Sequence, residues 1–271
     1  MNADTAQVDG VACVKGGTPA AGPPPQDELP SEGRCTIHAE RLATSPAVIA
    51  RAATGLSDAE RKRAATYRHD GDRARFEVGA LLVRTVVGRI CGVPGRAVTV
   101  DRTCDWCGRA HGRPRVPGSG LHLSVSHSGD IVVVAVSVDG PVGVDVEQVT
   151  GRGFFDHVAL ISRVFDASER AHITNAGEFL TSWTRKEAVL KATGNGLRVP
   201  PADVLVTPPH AAPDLLALRG RPRPHCRMAD VDIGADYRAA VAVLTPSPVT
   251  FTVVEAALER RTTDAPQAPQ S

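Results

Sequence analysis

The chain has 271 residues, enough for one large domain or two small halves. Hydrophobic residues make up 42% but aromatics only 4%, so a core has to be assembled from Val, Leu, Ala and Ile. Thirty-one Lys and Arg against 30 Asp and Glu leave a net charge of +1, which argues against a dedicated nucleic-acid binder, and the longest apolar run, Ile131 to Val138, is too short to span a membrane.

In chain order, residues 1–34 hold five Pro and five Gly without an aromatic, and are expected to be disordered. No secretory signal is visible in residues 1–30, and six scattered Cys fit reduced cytosolic thiols. Ser57-x-x-Glu60 is a capping box that predicts a helix to about Arg68. Phe76, Gly79, Val83, Val86, Val87 and Ile90 recur at helical spacing and predict a helix over 72–90. A short strand is expected at 98–101, then three consecutive strands at 121–126, 131–138 and 142–146, read as antiparallel from their turns. Helices follow at 156–163, 168–176 and 178–193, the last ended by Gly194-Asn-Gly196. Strands return at 204–207, 237–244 and 249–254, and residues 260–271 read as a polar tail. This order suits an α+β chain of two halves, 35–138 and 139–259, rather than a doubly wound nucleotide fold.

Four constellations could carry chemistry. In Gly143-Val-Asp145-Val-Glu147 the period of two puts both carboxylates on one face, where they either hold a hard cation or sit solvated at a strand end. In the helix from Trp183 to Gly196, Glu187 and Lys191 share a face; a surface ion pair is the plain alternative. Yet only four of the cations are Lys (15, 62, 186 and 191), and two of them lie in this segment. Lys can donate a proton near neutral pH where Arg cannot. Ser124-Val-Ser126-His127-Ser128-Gly129 runs from a strand into a turn that can cradle phosphate or simply be structural. Cys104-x-x-Cys107-Gly-x-x-His111 supplies three of the four ligands of a structural zinc site, so no zinc is expected there, and no thioredoxin-like context supports a redox role. An Arg cluster from 61 to 75 reads as a solvated helix face or a phosphate contact.

The ordered run Gly112-Arg-Pro114, Ser126-His-Ser-Gly129, Gly143-Val-Asp-Val-Glu147, Trp183-Thr-Arg-Lys-Glu-Ala-Val-Leu-Lys191 and Gly194-x-Gly196 resembles the Sfp-type 4'-phosphopantetheinyl transferases. The resemblance covers residues 50–245. It implies two pseudo-symmetric α/β halves with coenzyme A in the cleft between them. It also implies transfer of 4'-phosphopantetheine from coenzyme A to a serine of an apo acyl or peptidyl carrier protein, in polyketide or non-ribosomal peptide synthesis. By the same resemblance Asp145, Glu147 and Glu187 would hold Mg²⁺, with Mn²⁺ a possible substitute. Lys191 would contact the α-phosphate, and Lys186, Ser126, His127, Arg113, Arg63 and Arg75 would lie along coenzyme A. Glu169 sits where the family has its proposed general base. Ala80 departs from the pattern, standing where many members carry an Arg. A cytoplasmic monomer is expected, with no nucleic-acid or membrane partner. A Mg²⁺-dependent nucleotide phosphohydrolase and an inactive carrier-docking module share some of these features; carrier-free release of adenosine bisphosphate would mark the first, and coenzyme A binding without turnover the second.

Overall fold

The computed structural model describes residues 5–8, 11–14, 29–42, 50, 55–149, 161–255 and 258. Two sheets stack face to face, each with one long helix on its outer side. The first has the order β11-β3-β5-β4, from Thr250–Glu255, Arg34–Arg41, Ile131–Ser137 and His122–Ser128. The second is β6-β10-β9, from Val142–Gln148, Tyr237–Val243 and Arg227–Asp230. Helix α1 spans Asp58–Ala64, and α2, at Asp70–Cys91, packs on the first sheet. After the four-residue α3, Ala167–Arg170, helix α4 at Ala176–Thr193 packs on the second.

The apolar pattern follows from these layers. In β5, Val132, Val134 and Val136 meet α2, while Ile131, Val133 and Ala135 meet the second sheet. Both faces are buried, so the strand reads as an unbroken apolar run. In β6, Val142, Val144 and Val146 fill the space between the sheets, which leaves Gly143, Asp145 and Glu147 facing α4. Ala80 belongs to a small cluster with Leu56, Ala64 and Phe76, so the position that departs from the family pattern is core.

Both long helices, the Ser57–Glu60 capping box and the central strands form as expected. Several elements differ. No strand forms at 98–101, where a 3₁₀ turn at Gly95–Ala97 leads to an isolated bridge between Asp101 and Arg115. β5 and β6 belong to different sheets, and β11 pairs parallel with β3, carrying the end of the second half into the first sheet. β3 itself, and the strands at Leu215–Leu218 (β8) and Arg227–Asp230, had no sequence expectation; β8 pairs with β7, Val204–Val206. Within the segment expected to lack order, Thr5–Val8 and Val11–Val14 pair as an antiparallel hairpin, β1 and β2. Of the helix expected at 156–163, only residues from 161 onward are described, and they are helical; the tail 260–271 lies outside the described residues. Cys35, Cys104, Cys107 and Cys226 are free thiols, whereas Cys91 is disulfide-bonded, against the expectation. No helix among the described residues is long and apolar enough to cross a membrane.

The edges of the two sheets meet along a seam of hydroxyls. Ser124, Ser126 and Ser128 alternate along β4, and their Oγ atoms accept the backbone N–H groups of Val144, Val146 and Gln148 at 3.0, 3.4 and 3.0 Å. Side chains thereby replace the missing ladder and satisfy the edge of β6.

Candidate active site

The site forms where β6 meets α4. Gly143 sets the approach: a Cβ there would collide with the Ala188 carbonyl oxygen and sit 2.5 Å from the Ala192 N. With no side chain in the way, the strand end carrying Asp145 and Glu147 lies against the helix face carrying Glu187 and Lys191.

Asp145 is buried at 4% exposure. Its Oδ1 accepts from Lys191 Nζ at 2.7 Å and from Ser126 Oγ at 2.8 Å. Its Oδ2 is also buried and has no hydrogen-bond partner. Glu147 accepts from Ser128 Oγ at 2.9 Å. Burial, and then the charge of Asp145, pushes the Glu147 carboxyl upward; bonds from Ser128 and the Trp183 indole oppose this. Glu187 is raised by burial first and by Asp145 second. These are three mutually repelling carboxylates, one with an orphaned buried oxygen. An unsatisfied buried carboxylate oxygen is costly, and a divalent cation would relieve it. The donors are all oxygen, the set that suits Mg²⁺ or Mn²⁺. Lys191 uses all three N–H donors, on Asp145, on Ser126 Oγ at 2.9 Å and on the Val144 carbonyl at 3.0 Å.

Two cavities open beside this centre. One, of about 210 Å³, is lined by Arg63, Arg75, Arg102, Ser126, His127 and Lys191, among others. The other, of about 960 Å³, is lined by Arg102, Arg113, Lys191 and the Gly194–Gly196 turn. Arg63 stacks over Phe76 at 5.1 Å and donates to the Ala110 carbonyl. Arg75 is held by Asp72 at 2.5 Å and by the Gly129 carbonyl at 2.7 Å. His127 is exposed at its outer edge, and partial desolvation, then the nearby Arg75 and Lys191 charges, push its imidazole downward. Arg102 lies on the wall common to both cavities and had no role in the sequence reading. Its guanidinium is pushed down to about 10 by burial and then by Arg63, and stays charged at neutral pH. The available signal was its place one residue before the Thr103–His111 turn. This cationic lining matches a ligand with several phosphates.

Three expected site residues stand in other surroundings. Glu169 and Lys186 face away from the acidic cluster and pair with each other at 2.7 Å. Lys186 has no exposed surface, donates also to the carbonyls of Pro201 and Val204, and lies over the Phe165 ring. Glu169 spends its remaining capacity on the backbone N–H of Asp166 and of Val206. In this structure the carboxylate is the counter-charge of a buried ammonium. Arg113 lines the large cavity, but its Nη2 caps α4 by donating to the carbonyls of Lys191 and Ala192 at 2.6 and 2.7 Å. A cation at a helix C-terminus is favoured by the dipole as well.

Comparison with known proteins agrees with this architecture. Residues 43–139 match the model of the 4'-phosphopantetheinyl transferase N-terminal domain, and residues 141–242 match that of the 4'-phosphopantetheinyl transferase superfamily. The join between them falls at the turn where the chain passes from the first sheet to the second. The chain is 30% identical over 171 residues to the 4'-phosphopantetheinyl transferase HetI of Nostoc sp., covering 59% of this chain and 69% of that protein. It is 28% identical over 151 residues to the 4'-phosphopantetheinyl transferase psf-1 of Bacillus pumilus (52% and 59%). It is 26% identical over 152 residues to a 4'-phosphopantetheinyl transferase of Bacillus subtilis (54% and 63%). Both matched halves, and a carboxylate cluster seated where they meet, lead to one conclusion: the chain belongs to the 4'-phosphopantetheinyl transferase family.

Proposed function

We propose that the protein transfers the 4'-phosphopantetheine group of coenzyme A to a serine of an apo acyl or peptidyl carrier protein, in secondary metabolism, and releases adenosine 3',5'-bisphosphate. The observation that carries this reading is the buried, unpartnered Oδ2 of Asp145 within an all-carboxylate cluster beside a cation-lined cleft. Asp145, Glu147 and Glu187 would hold Mg²⁺ or Mn²⁺. Such a cation supplies charge neutralisation on the phosphate oxygens.

The chain's own residues do the rest. Arg63, Arg75, Arg102 and His127 bind the nucleotide phosphates and set the β-phosphate of coenzyme A against the carrier serine. The serine oxygen bonds to that phosphorus as the bond to the adenosine-side oxygen breaks. Glu187 is half-buried and makes no hydrogen bond among the described residues, so a carboxylate oxygen that does not hold the cation takes the serine proton. Lys191, released from one of its three partners, balances charge on the departing phosphate. The same reading takes the protein as a monomer in the cytoplasm.

The test is mass spectrometry of an apo carrier protein after incubation with coenzyme A and Mg²⁺. A gain of one phosphopantetheine is expected. Adenosine bisphosphate release without that gain would mean a hydrolase, and binding without either would mean a docking module.

A further inference from the structure

We propose that Cys104, Cys107 and His111 form a zinc site, separate from the acidic cluster, that fixes the turn at the mouth of the cleft. The two sulfurs and a ring nitrogen of His111 all lie within 4.8 Å of one another. His111 Nε2 is 2.9 Å from Cys107 Sγ. Among the described residues no other trio of Cys, His or carboxylate groups closes this far. Two thiolates and an imidazole are the soft donor set that prefers Zn²⁺ over Mg²⁺.

The backbone of the turn already carries the shape. Gly108 N–H donates to the Cys104 carbonyl at 2.9 Å, Cys104 N–H to the Arg109 carbonyl at 2.9 Å, and Gly112 N–H to the Arg102 carbonyl at 2.7 Å. Gly108, directly after the second Cys, has φ +68°, a left-handed conformation that lets the chain fold back toward His111. Hydrophobic burial cannot hold this shape, because Cys104 is the one buried residue from Thr103 to His111. A metal cross-link can, since binding free energy becomes folding free energy in so small an element.

Counting ligands from the sequence stops at three and argues against zinc. The exposure of Cys107 and His111 changes that judgement, because water can complete the coordination from the open side, giving an open three-ligand zinc site rather than a closed structural one. The turn is also tied into the cleft. Arg102 and Arg113, at its two ends, line the large cavity, and Trp106 lies beneath the Arg198 guanidinium at 4.3 Å. Zinc would therefore stiffen the cationic rim without entering the acidic centre.

Full-length protein equilibrated with Zn²⁺ and then desalted should retain about one zinc per chain, which elemental analysis reads directly. Cys107→Ser and His111→Ala should each fall below about a tenth of that, while Cys226→Ser and Asp145→Asn keep it. Co²⁺ replacing Zn²⁺ in the unaltered protein should give a thiolate charge-transfer band and tetrahedral d–d bands, a readout that does not depend on any variant folding. Unaltered protein with neither zinc nor a cobalt band overturns the proposal. So does zinc content unchanged in both variants, or a Cys104–Cys107 disulfide in protein purified with reductant. None of these readouts depends on transferase activity.

Discussion

Helix α4 presents ionic groups on two different faces. Toward β7 and β9, Arg185 and Lys186 are wholly buried and fully partnered. Arg185 holds Asp230 through two nitrogens at 2.8 and 2.5 Å and also donates to the carbonyls of Thr207, Pro208 and Ala211. Toward β6, the set of Asp145, Glu147, Glu187 and Lys191 has three carboxylates to one ammonium and leaves Asp145 Oδ2 without a partner. Both sets hold buried charge, Arg185 and Lys186 in one and Asp145 in the other; what separates them is satisfaction. A network whose donors and acceptors all balance specifies the fold, whereas one left short is poised for a group the chain does not supply.

The comparison is sharpest if each side is broken in turn. Asp145→Asn and Glu187→Gln should each lower transfer by at least about 10³-fold, read as modified carrier per unit time, and the metal-free Glu187→Gln protein should melt no lower than before. Near-normal turnover of either variant at saturating Mg²⁺ would remove that residue from the centre. On the satisfied side the expectation reverses. Lys186→Met leaves Glu169 buried without its counter-charge and should cost about 3–5 kcal/mol by urea unfolding. The double variant Lys186→Met/Glu169→Leu should recover much of that loss, because neither charge is then stranded.

Sequence reasoning saw one side of α4 better than the other, and the reason is geometric. Period-two alternation puts Asp145 and Glu147 on one face, and a spacing of four puts Glu187 and Lys191 on one face, whatever the tertiary structure. Gly143 then brings the two faces together. Spacing does not reveal what lies across from a side chain. Glu169 reaches Lys186 from 17 residues away through a loop, and Arg113 reaches the end of α4 from 78 away. The bias toward Lys in this helix also has two causes. At 191 the ammonium fits beside Asp145, and at 186 a compact ammonium fits between a carboxylate and two carbonyls. The hydroxyl seam had a visible trace, Ser at 124, 126 and 128, but its acceptor role depends on β6 standing beside β4, which no local pattern encodes.

Lys191→Arg tests how tightly the unsatisfied side is built. The three bonds of Nζ, at 2.7, 2.9 and 3.0 Å, converge on one atom, and a planar guanidinium cannot reproduce them. A fall in kcat on the order of 10²–10³ is expected, with coenzyme A binding largely kept. Normal kcat would make Lys191 an ordinary counter-charge. Ser124→Ala probes the seam away from the chemistry. It strands the buried N–H of Val144, so a loss of about 1–3 kcal/mol is expected with the kcat of the folded protein unchanged.

The smallest expected effect, on pH, separates the two sides without disturbing the fold. Burial and the charge of Asp145 raise the carboxyls of both Glu147 and Glu187 in the folded protein. A carboxyl raised on folding holds its proton where the unfolded chain has released it. The group therefore costs nothing at pH values below its unfolded range. The penalty grows as pH rises through that range and is complete above the folded value. Metal-free protein should lose this increment of stability as pH rises above the ordinary glutamate range. Glu187→Gln removes one of the two penalties, so its melting temperature should exceed that of the unaltered protein by a few degrees at pH 8 and by nothing at pH 4. Mg²⁺ should act in the same direction, raising the melting temperature more at pH 8 than at pH 5, because a bound dication offsets the repulsion only when the carboxylates are charged. The Glu169–Lys186 pair gives the control: a Glu169→Gln variant should not gain at pH 8, since its carboxylate already has every partner it needs. If Glu187→Gln were no more stable than the unaltered protein at pH 8, the carboxylate cluster would already be relieved within the protein, and the contrast between the two sides of α4 would no longer mark the active one.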